Sequence, residues 1–379
     1  MPSKEPPLPT PDAALPTAAP QDLGLDPDAL ETASGLLDQA LAAGQLSAAS
    51  LVVARRGAIG LARGYGTLRP ESGAPAVDAE SVFLLASITK PVTAVALMRL
   101  VESGQVSLND PVARYLPEYT GGQRHLIKVR HLLHHISGMP DMLPENTALR
   151  QANEPLEEFV RRALCTPLLF TPTTDFSYQS KGILLAAEIV QRQTSLPLRQ
   201  FEQETIFAPL GMDRSALGLG PFEIADTVWC GTNPEETDEQ QSWGHNSPYW
   251  RNIGCPWGGM HSCGPDLAIL MQTMLEGGQR NGYRLLSPAT ARTMVTDQNG
   301  SLGKPWGLGW ALAGSSVWNY FGELVSPATF GHVGSTGTVA WADPQQQLIC
   351  VVLTNQMVEE GSLLRRVSNA VAAAVVDYN

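Results

Sequence analysis

A serine and a lysine three positions apart, Ser87 and Lys90, are the residues of this chain best suited to covalent chemistry. A short apolar run ends at Ser87 and a long apolar helix is predicted to begin there, so both side chains should share one helix face. A serine hydroxyl is a poor nucleophile until a neighbour removes its proton, and a partly desolvated amine can do that. The helix start also offers free N–H groups and the positive dipole end, which suit a developing negative charge.

The same spacing occurs again at Ser301 and Lys304, where glycine and proline predict a loop without a supporting helix. Lysine usage also favours Lys90, because the chain holds five lysines against twenty arginines and arginine cannot act as a base. The structural alternative is a serine helix cap beside a lysine whose stem reaches the surface. Spacing alone does not separate these two interpretations.

A tyrosine lies in the predicted loop of residues 170–182, just before a predicted helix at 183–191. Tyr178 is either a buried aromatic residue or a phenol placed for proton transfer.

A glycine-rich segment, Gly331 to Gly337, lies between two predicted strands near the C-terminus. Glycines such as Gly334 let a ligand approach the backbone closely. If this strand lies beside Ser87, the N–H groups of Ser335 and Ser87 form a two-donor oxyanion hole. His332 would then supply a polar or charged group at the cleft; the alternative is a satisfied core histidine at a strand end.

The least regular part of the chain, Asp226 to Trp257, carries half of the eight tryptophans. Irregular backbone rich in aromatic residues often lines a binding cleft, so we predict substrate contacts from Trp243 and Trp250. The alternative is an inserted loop that packs on itself.

Histidines 131 and 135 have the spacing of metal ligands on a helix, but no acidic third ligand is close in sequence. We therefore predict no metal site, and no motif points to a cofactor.

Composition narrows the classes of function. The 379 residues are 43% apolar and 16% charged, with a net charge of −12 and a pI near 5. No basic cluster suggests nucleic-acid binding, and no apolar run is long enough to span a membrane. Five cysteines form no C-x-x-C pair, and their odd number leaves at least one thiol free, as in a reducing compartment.

The N-terminal 21 residues contain seven prolines and no apolar segment before a cleavage site. This composition predicts a disordered leader rather than a signal peptide. With the free thiol, it favours a cytoplasmic location.

Predicted strands lie at both ends of the chain, with helices between them. A helix over 26–44, capped by Asp26, precedes a hairpin of strands 48–55 and 59–65. The last third alternates strands at 307–313, 329–332, 338–342 and 347–354 with turns, and closes with a helix over 362–376. We predict an α+β fold: one antiparallel sheet formed from both chain ends, flanked by helices, with an inserted, mainly helical subdomain. The predicted domain spans 22–379, with an α/β part at 22–86 and 258–379 and a mainly helical part with substrate loops at 87–257.

Ser-x-x-Lys on a helix, a tyrosine on a loop midway and a glycine-rich strand near the C-terminus, in that order, resemble the serine β-lactamase and penicillin-binding-protein superfamily. The resemblance is strongest for the class C-like branch, which holds class C β-lactamases, D-aminopeptidases and carboxylesterases with a β-lactamase fold. It runs from about Leu25 to the end and includes the stretches 132–138, 206–212 and 258–262. It implies a β-lactamase/transpeptidase-like fold.

The resemblance also implies roles for single residues. Ser87 would be the acylated nucleophile and Lys90 its proton acceptor and hydrogen-bond partner. Tyr178 matches the tyrosine of the family's Tyr-x-Asn, which shuttles a proton between nucleophile and leaving group. The segment 332–334 occupies the place of Lys-Thr-Gly.

Two positions depart from that pattern. Ser180 stands where the family usually has an asparagine that holds the acylamide of a β-lactam or peptide, and a serine is shorter and has one donor. His332 replaces a lysine, which weakens the cationic site for a substrate carboxylate. Both departures point away from β-lactam turnover and towards esters or amides without that carboxylate.

We therefore predict a serine hydrolase that works through an acyl-enzyme, a carboxylesterase acting on small, short-acyl esters. The alternative enzyme is a D-aminopeptidase or another D-amino-acid amide or ester hydrolase with weak β-lactamase activity, which an acidic residue near the cleft would favour. The non-enzymatic alternative is a member that binds a peptidoglycan fragment or a protein partner. Such a module has no need of Ser87, Lys90 and Tyr178 together.

Overall fold

The central element of the fold is a six-stranded antiparallel sheet built from the two ends of the chain. A computed structural model describes residues 14–231, 242–317 and 319–377. The strands in chain order are β1 Ala48–Arg55, β2 Ala58–Gly66, β3 Phe83–Leu84, β4 Ala216–Leu217, β5 Met260–Ser262, β6 Gln279–Arg280, β7 Tyr283–Arg284, β8 Ala311–Leu312, β9 Phe330–Gly334, β10 Thr338–Asp343 and β11 Leu348–Thr354. The large sheet has the order β2-β1-β11-β10-β9-β8. The predicted hairpin and the pairing of both chain ends are confirmed.

The helices in chain order are α1 Pro27–Ala42, α2 Thr89–Glu102, α3 Val129–Leu133, α4 Asn146–Gln151, α5 Leu156–Ala163, α6 Ser180–Thr194, α7 Leu198–Glu202, α8 Ala208–Leu210, α9 Pro248–Ile253, α10 Gly264–Leu275, α11 Pro288–Met294 and α12 Ser362–Ala373. Asp26 caps α1 as predicted, because its carboxylate accepts the Asp28 N–H at 2.9 Å. The α+β class is confirmed. The boundaries of the α/β part and the mainly helical part stay predictions.

The inner strands of the large sheet are buried on both faces and are mainly apolar, whereas the edge strand β2 is partly exposed. All eight residues of β1 are buried. Val52 and Ala54 face the core shared with α10, whereas Leu51 and Val53 face the core shared with α1 and α12. This is the period-2 alternation of a strand packed between two helical layers.

Part of the predicted N-terminal leader is packed instead of disordered, and the prediction is wrong for residues 14–21. The backbone around Thr17 pairs with the edge strand β2, since the Pro16 carbonyl accepts the Ile59 N–H at 2.8 Å and Ala18 donates back at 3.0 Å. Leu15 is buried in the core. Prolines suit an extended segment on a sheet edge, where few N–H groups are needed. Residues 1–13 lie outside the described part of the chain.

A small second sheet places the start of α2. Strand β3 pairs with β5, which also pairs with β4, and the Leu85 N–H donates to the Met260 carbonyl at 2.9 Å. Ser87 follows directly, on a single 3₁₀ turn, Ala86–Ile88, that leads into α2. The predicted helix after Ser87 therefore exists, and Gly104 lies just beyond its end with φ 74°.

In the described ranges, no helix has both the length and the apolar character needed to cross a membrane.

Candidate active site

Ser87 lies at a strained turn between the small sheet and α2. The residue before it, Ala86, has φ 50°, in the left-handed region that alanine rarely adopts. Ser87 itself is half-buried, and the helix that follows is buried almost throughout. The strained backbone is held by the apolar residues on both sides, which turn the serine side chain out of the core.

Lys90 is the direct partner of Ser87. Its amine donates to the Ser87 Oγ at 2.8 Å and to the Trp257 carbonyl oxygen at 3.0 Å. Burial lowers the pKa of Lys90 to about 7. The carboxylate of Asp141 opposes this shift, and the cation of Lys181 adds to it. Only 1% of the Lys90 residue is exposed, so its stem does not reach the surface as the structural alternative required. A lysine with this pKa is partly neutral at physiological pH and can accept a proton.

Tyr178 completes the cluster. Its hydroxyl is hydrogen-bonded to Ser87, and the Lys90 amine lies 4.8 Å from its ring centroid. Burial raises the pKa of Tyr178 well above its usual value, although the bond to Ser87 opposes this. The structure thus brings together the three residues singled out in the sequence as nucleophile, base and proton shuttle.

The histidine-rich stretch 131–137 holds the Tyr178 loop. The His135 carbonyl accepts a hydrogen bond from the Ser177 N–H at 3.0 Å. The ring Nδ1 of His135 accepts from the Gln179 N–H at 3.2 Å. The buried Gln179 side chain accepts from Ser137 at 2.6 Å and donates to the His131 carbonyl at 3.0 Å. These histidines therefore have packing roles.

The hairpin of β9 and β10 lies directly against the segment that carries Ser87. The hydroxyls of Thr336 and Thr338 donate to the carbonyls of Leu84 and Leu85, each at 2.8 Å. A Cβ on Gly334 would lie 2.1 Å from the Leu85 carbonyl oxygen. Gly334 is therefore needed for contact between two backbones, where the sequence suggested close approach of a ligand.

Ser335 begins the turn after β9 and is exposed. The N–H of Ser87 lies in the first turn of its helix, where backbone donors have no intrahelical acceptor. The two predicted oxyanion donors thus lie on segments that touch, and their catalytic role stays a prediction.

His332 is a wall residue of the site and carries no charge. It is completely buried, and burial followed by the charge of Lys90 lowers its pKa to about 3. The centroid of its ring lies 6.1 Å from that of Tyr178 and 5.8 Å from that of Trp306. The ring of His135 is close by, with its centroid 4.8 Å from that of Trp306. The group that His332 offers is therefore a neutral imidazole, and its contact with a substrate stays a prediction. Among the described residues its Nε2 has no hydrogen-bond partner, so it is not a fully satisfied core histidine.

Ser180 does not project freely towards a substrate. It is the first residue of α6, is 1% exposed, and donates through its N–H and Oγ to Asp141 Oδ1 at 2.8 and 2.7 Å. Asp141 therefore caps the helix from a separate loop. Sequence reasoning missed Asp141, because nothing near it in the chain indicates that its loop reaches the start of α6.

The tryptophans of the irregular segment are tied to one arginine. The Arg150 guanidinium carbon lies 3.7 Å from the Trp250 ring centroid and 5.1 Å from that of Trp243. The Nη2 of Arg150 donates to the Trp243 carbonyl at 2.9 Å. Trp250 is 6% exposed. Residues 232–241 of this segment lie outside the described ranges. Substrate contact by Trp243 and Trp250 stays a prediction.

A buried arginine organises the rest of that segment. Arg251, fully buried, donates to the carbonyls of His245 and Val228 at 2.7 and 3.0 Å and to Asn246 Oδ1 at 2.9 Å. A single charge thus satisfies backbone acceptors that an irregular chain would leave unpaired.

Comparison with known proteins identifies a family model and relatives that cover most of the chain. The family model described as Beta-lactamase matches residues 33–374. A protein of Salmonella agona named "Putative D-alanyl-D-alanine carboxypeptidase" is 28% identical over 374 residues, covering 90% of this chain and 86% of that protein.

Solved structures share the fold at lower identity. A family VIII carboxylesterase superposes with a TM-score of 0.73 at 20% identity, covering 93% of this chain and 99% of that one. The D-amino acid amidase of Ochrobactrum anthropi SV3, complexed with L-phenylalanine amide, gives a TM-score of 0.71 at 20% identity, covering 92% and 97%.

Proposed function

This chain belongs to the beta-lactamase family, and we propose that it is a serine hydrolase working through an acyl-enzyme, a carboxylesterase on short-acyl esters. The observation that carries the proposal is the hydrogen-bonded contact of Ser87 with both Lys90 and Tyr178. The buried, uncharged His332 supports esters over β-lactams, because it offers no cation for a substrate carboxylate.

The proposed reaction gives each of these residues one role. Ser87 Oγ attacks the ester carbonyl carbon while the neutral Lys90 amine takes its proton. The negative charge on the carbonyl oxygen is held by the N–H groups of Ser87 and Ser335. Tyr178 donates its proton to the leaving alkoxide and is reprotonated through Lys90. Water then attacks the acyl-enzyme, with the same pair returning the proton to Ser87.

The test is hydrolysis of p-nitrophenyl butyrate, nitrocefin and D-alanine p-nitroanilide by wild type, Ser87→Ala and Ser301→Ala. Ser301 is a matched control, because it has the same spacing to a lysine but lies exposed on a 3₁₀ turn. We expect fast ester cleavage that only Ser87→Ala abolishes, with slow turnover of the other two substrates. Ester hydrolysis that survives Ser87→Ala contradicts the proposal.

A second candidate, hydrolysis of amino-acid amides or esters with a free amine, is favoured by Asp141. This carboxylate accepts from Ser180, two residues after Tyr178, and its charge opposes the lowering of the Lys90 pKa by burial. Only Oδ1 is used to cap α6, and the residue is partly exposed. A carboxylate beside the nucleophile can pair with a substrate ammonium.

The two candidates are separated by Asp141→Asn, which keeps an oxygen for Ser180 but removes the charge. If the substrate carries an ammonium group, the variant raises KM for D-alanine p-nitroanilide and leaves KM for p-nitrophenyl butyrate unchanged. Equal changes for both substrates exclude an ammonium-binding role.

A further inference from the structure

A second lysine is buried beside the candidate active site and has no evident structural purpose. Lys181 is 0% exposed, and its amine has no hydrogen-bond partner among the described residues. Its nearest neighbours are aromatic faces: Nζ lies 3.8 Å from the ring centroid of Trp257 and 5.5 Å from that of Phe159. Burying a lysine without a hydrogen bond is costly, and a methionine or leucine would fill the same space without that cost.

Trp257 connects this lysine to the catalytic one. The ring of Trp257 receives Lys181, and its carbonyl oxygen receives the Lys90 amine at 3.0 Å. The carbonyl lies in a tight turn fixed by the Gly258 and Gly259 N–H groups, which donate to the Cys255 carbonyl at 3.0 and 2.7 Å. Both buried lysines therefore lie against one rigid residue.

We propose that Lys181 is a positioning residue whose positive charge, held on the Trp257 ring, keeps the Lys90 amine in its neutral, proton-accepting form. This inference rests on the proposed role of Ser87 and Lys90. Two like charges in a low-dielectric interior repel, so a cation at Lys181 favours loss of the proton from Lys90. Asp141 acts in the opposite direction on Lys90.

The charged and titratable groups around Lys90 come from every element packed on it. They are Tyr178 and Lys181 at the start of α6, Asp141 and His135 on the loop after α3, His332 on β9 and Cys255 before β5. The two histidines have pKa values lowered by burial and are neutral at pH 7. Burial raises the pKa of Cys255 to about 12, so its thiol is also neutral. Among the described residues, Lys181 and Asp141 are thus the cation and the anion whose charges act on Lys90.

Stability gives an independent expectation. Burial lowers the pKa of Lys181 to about 8. In the unfolded chain Lys181 keeps its proton up to about pH 10.4. The buried charge therefore lowers the free energy of unfolding by its full amount at pH 7 and by progressively less above pH 8. Lys181→Met should therefore raise the thermal midpoint at pH 7, and the gain should shrink towards pH 10.

The experiment measures the rate at which a fluorophosphonate labels Ser87 between pH 5.5 and 9 in wild type, Lys181→Met and Lys128→Met. Lys128 is a matched control, because it is exposed and does not affect the pKa of Lys90. We expect the pH midpoint of labelling to rise by roughly one unit in Lys181→Met, the order expected for loss of one like charge at an effective dielectric constant of about 20. Lys128→Met should keep the wild-type midpoint.

Each result has one meaning. A higher midpoint together with a higher melting temperature in Lys181→Met supports the inference, because a purely structural residue would lose stability and leave the midpoint in place. An unchanged midpoint in folded Lys181→Met overturns it. Lys181→Leu serves as a second uncharged variant if the first does not fold, and Lys181→Arg should restore the wild-type midpoint. Absence of labelling in the wild type refutes the proposed nucleophile itself, and the inference with it.

Discussion

In the proposed mechanism, catalysis depends on the protonation state of Lys90. With a pKa lowered to about 7 by burial, the amine loses its proton as the pH rises through neutrality. A lysine acts as a base only when neutral, so kcat/KM should be low at pH 5.5 and should rise to a plateau above about pH 8.

The measurement is a pH profile of kcat/KM for p-nitrophenyl butyrate, which reports the free enzyme. The midpoint belongs to the coupled Lys90–Tyr178 pair. Two results would show that Lys90 is not the base. In the first, kcat/KM does not fall as the pH drops through 7; in the second, it falls around the usual pKa of lysine.

Tyr178→Phe removes a hydroxyl and leaves the aromatic packing on His135 and Trp306. Loss of a proton donor to the leaving group typically costs about 10²- to 10⁴-fold in rate. We expect kcat to fall by that amount with little change in melting temperature.

Tyr249→Phe is the control for this change, because it also removes a tyrosine hydroxyl. The Tyr249 hydroxyl donates to the Glu154 carbonyl at 2.6 Å. Wild-type turnover by Tyr178→Phe would remove the phenol from the mechanism.

At this scale the sequence was informative where chemistry limits the residue type. Ser87, Lys90 and Tyr178 could be singled out because few side chains perform their proposed roles. Asp141, Trp257 and Lys181 could not, because their contributions are a capping oxygen, a backbone carbonyl and a charge. Such contributions depend on which distant loops meet, and only the folded chain shows that.

Among the elements, the contact between β9 and the Ser87 turn matters most for the proposed oxyanion hole. Gly334→Ala places a methyl group 2.1 Å from the Leu85 carbonyl oxygen, and neither backbone has room to move without breaking hydrogen bonds. We expect β9 to shift from Ser87, so that kcat and the melting temperature both fall.

The control is Gly35→Ala in α1, where a Cβ meets nothing within 4 Å. That change should stabilise the fold by about 0.5–1 kcal/mol through helix propensity and leave kcat unchanged. Wild-type kcat in Gly334→Ala would show that the strand does not set the oxyanion geometry.

The elements themselves were largely predictable, because their apolar periodicities are long. Their ends are marked by Asp26, by Gly104 and by Gly57 in the turn between β1 and β2. The order of the N-terminal segment was not predictable. A proline-rich composition is the same in a disordered leader as in an extended segment that pairs with a strand. What decides between them is the free edge of β2, which lies elsewhere in the chain.

In the whole molecule, Arg55 joins both chain ends to the sheet. It is 1% exposed and donates to the carbonyls of Leu23, Gly24, Gln346 and Asp377 at 2.8, 2.9, 3.0 and 2.8 Å, and it forms an ion pair with the Asp377 carboxylate. Arg55→Met leaves buried carbonyls without donors, at a cost of roughly 2–3 kcal/mol in the free energy of unfolding.

Urea unfolding of Arg55→Met and Asp377→Asn separates the two contributions. Asp377 is 45% exposed, so loss of its charge alone should matter far less than loss of the guanidinium. Equal destabilisation by both variants would show that the ion pair, and not the carbonyl contacts, holds the ends together.

The order in which a ribosome releases this chain has a consequence for the site. Strand β1 pairs along its length with β11, and Ala49 lies opposite Thr354. The nucleophile segment therefore emerges long before the strands that must lie beside it, and such distant pairings form late. A nascent or prematurely terminated chain carries Ser87 and Lys90 without β9, so an ester should not acylate its Ser87. Under the proposed mechanism, reactivity therefore appears only after the strands β9, β10 and β11 have been synthesised.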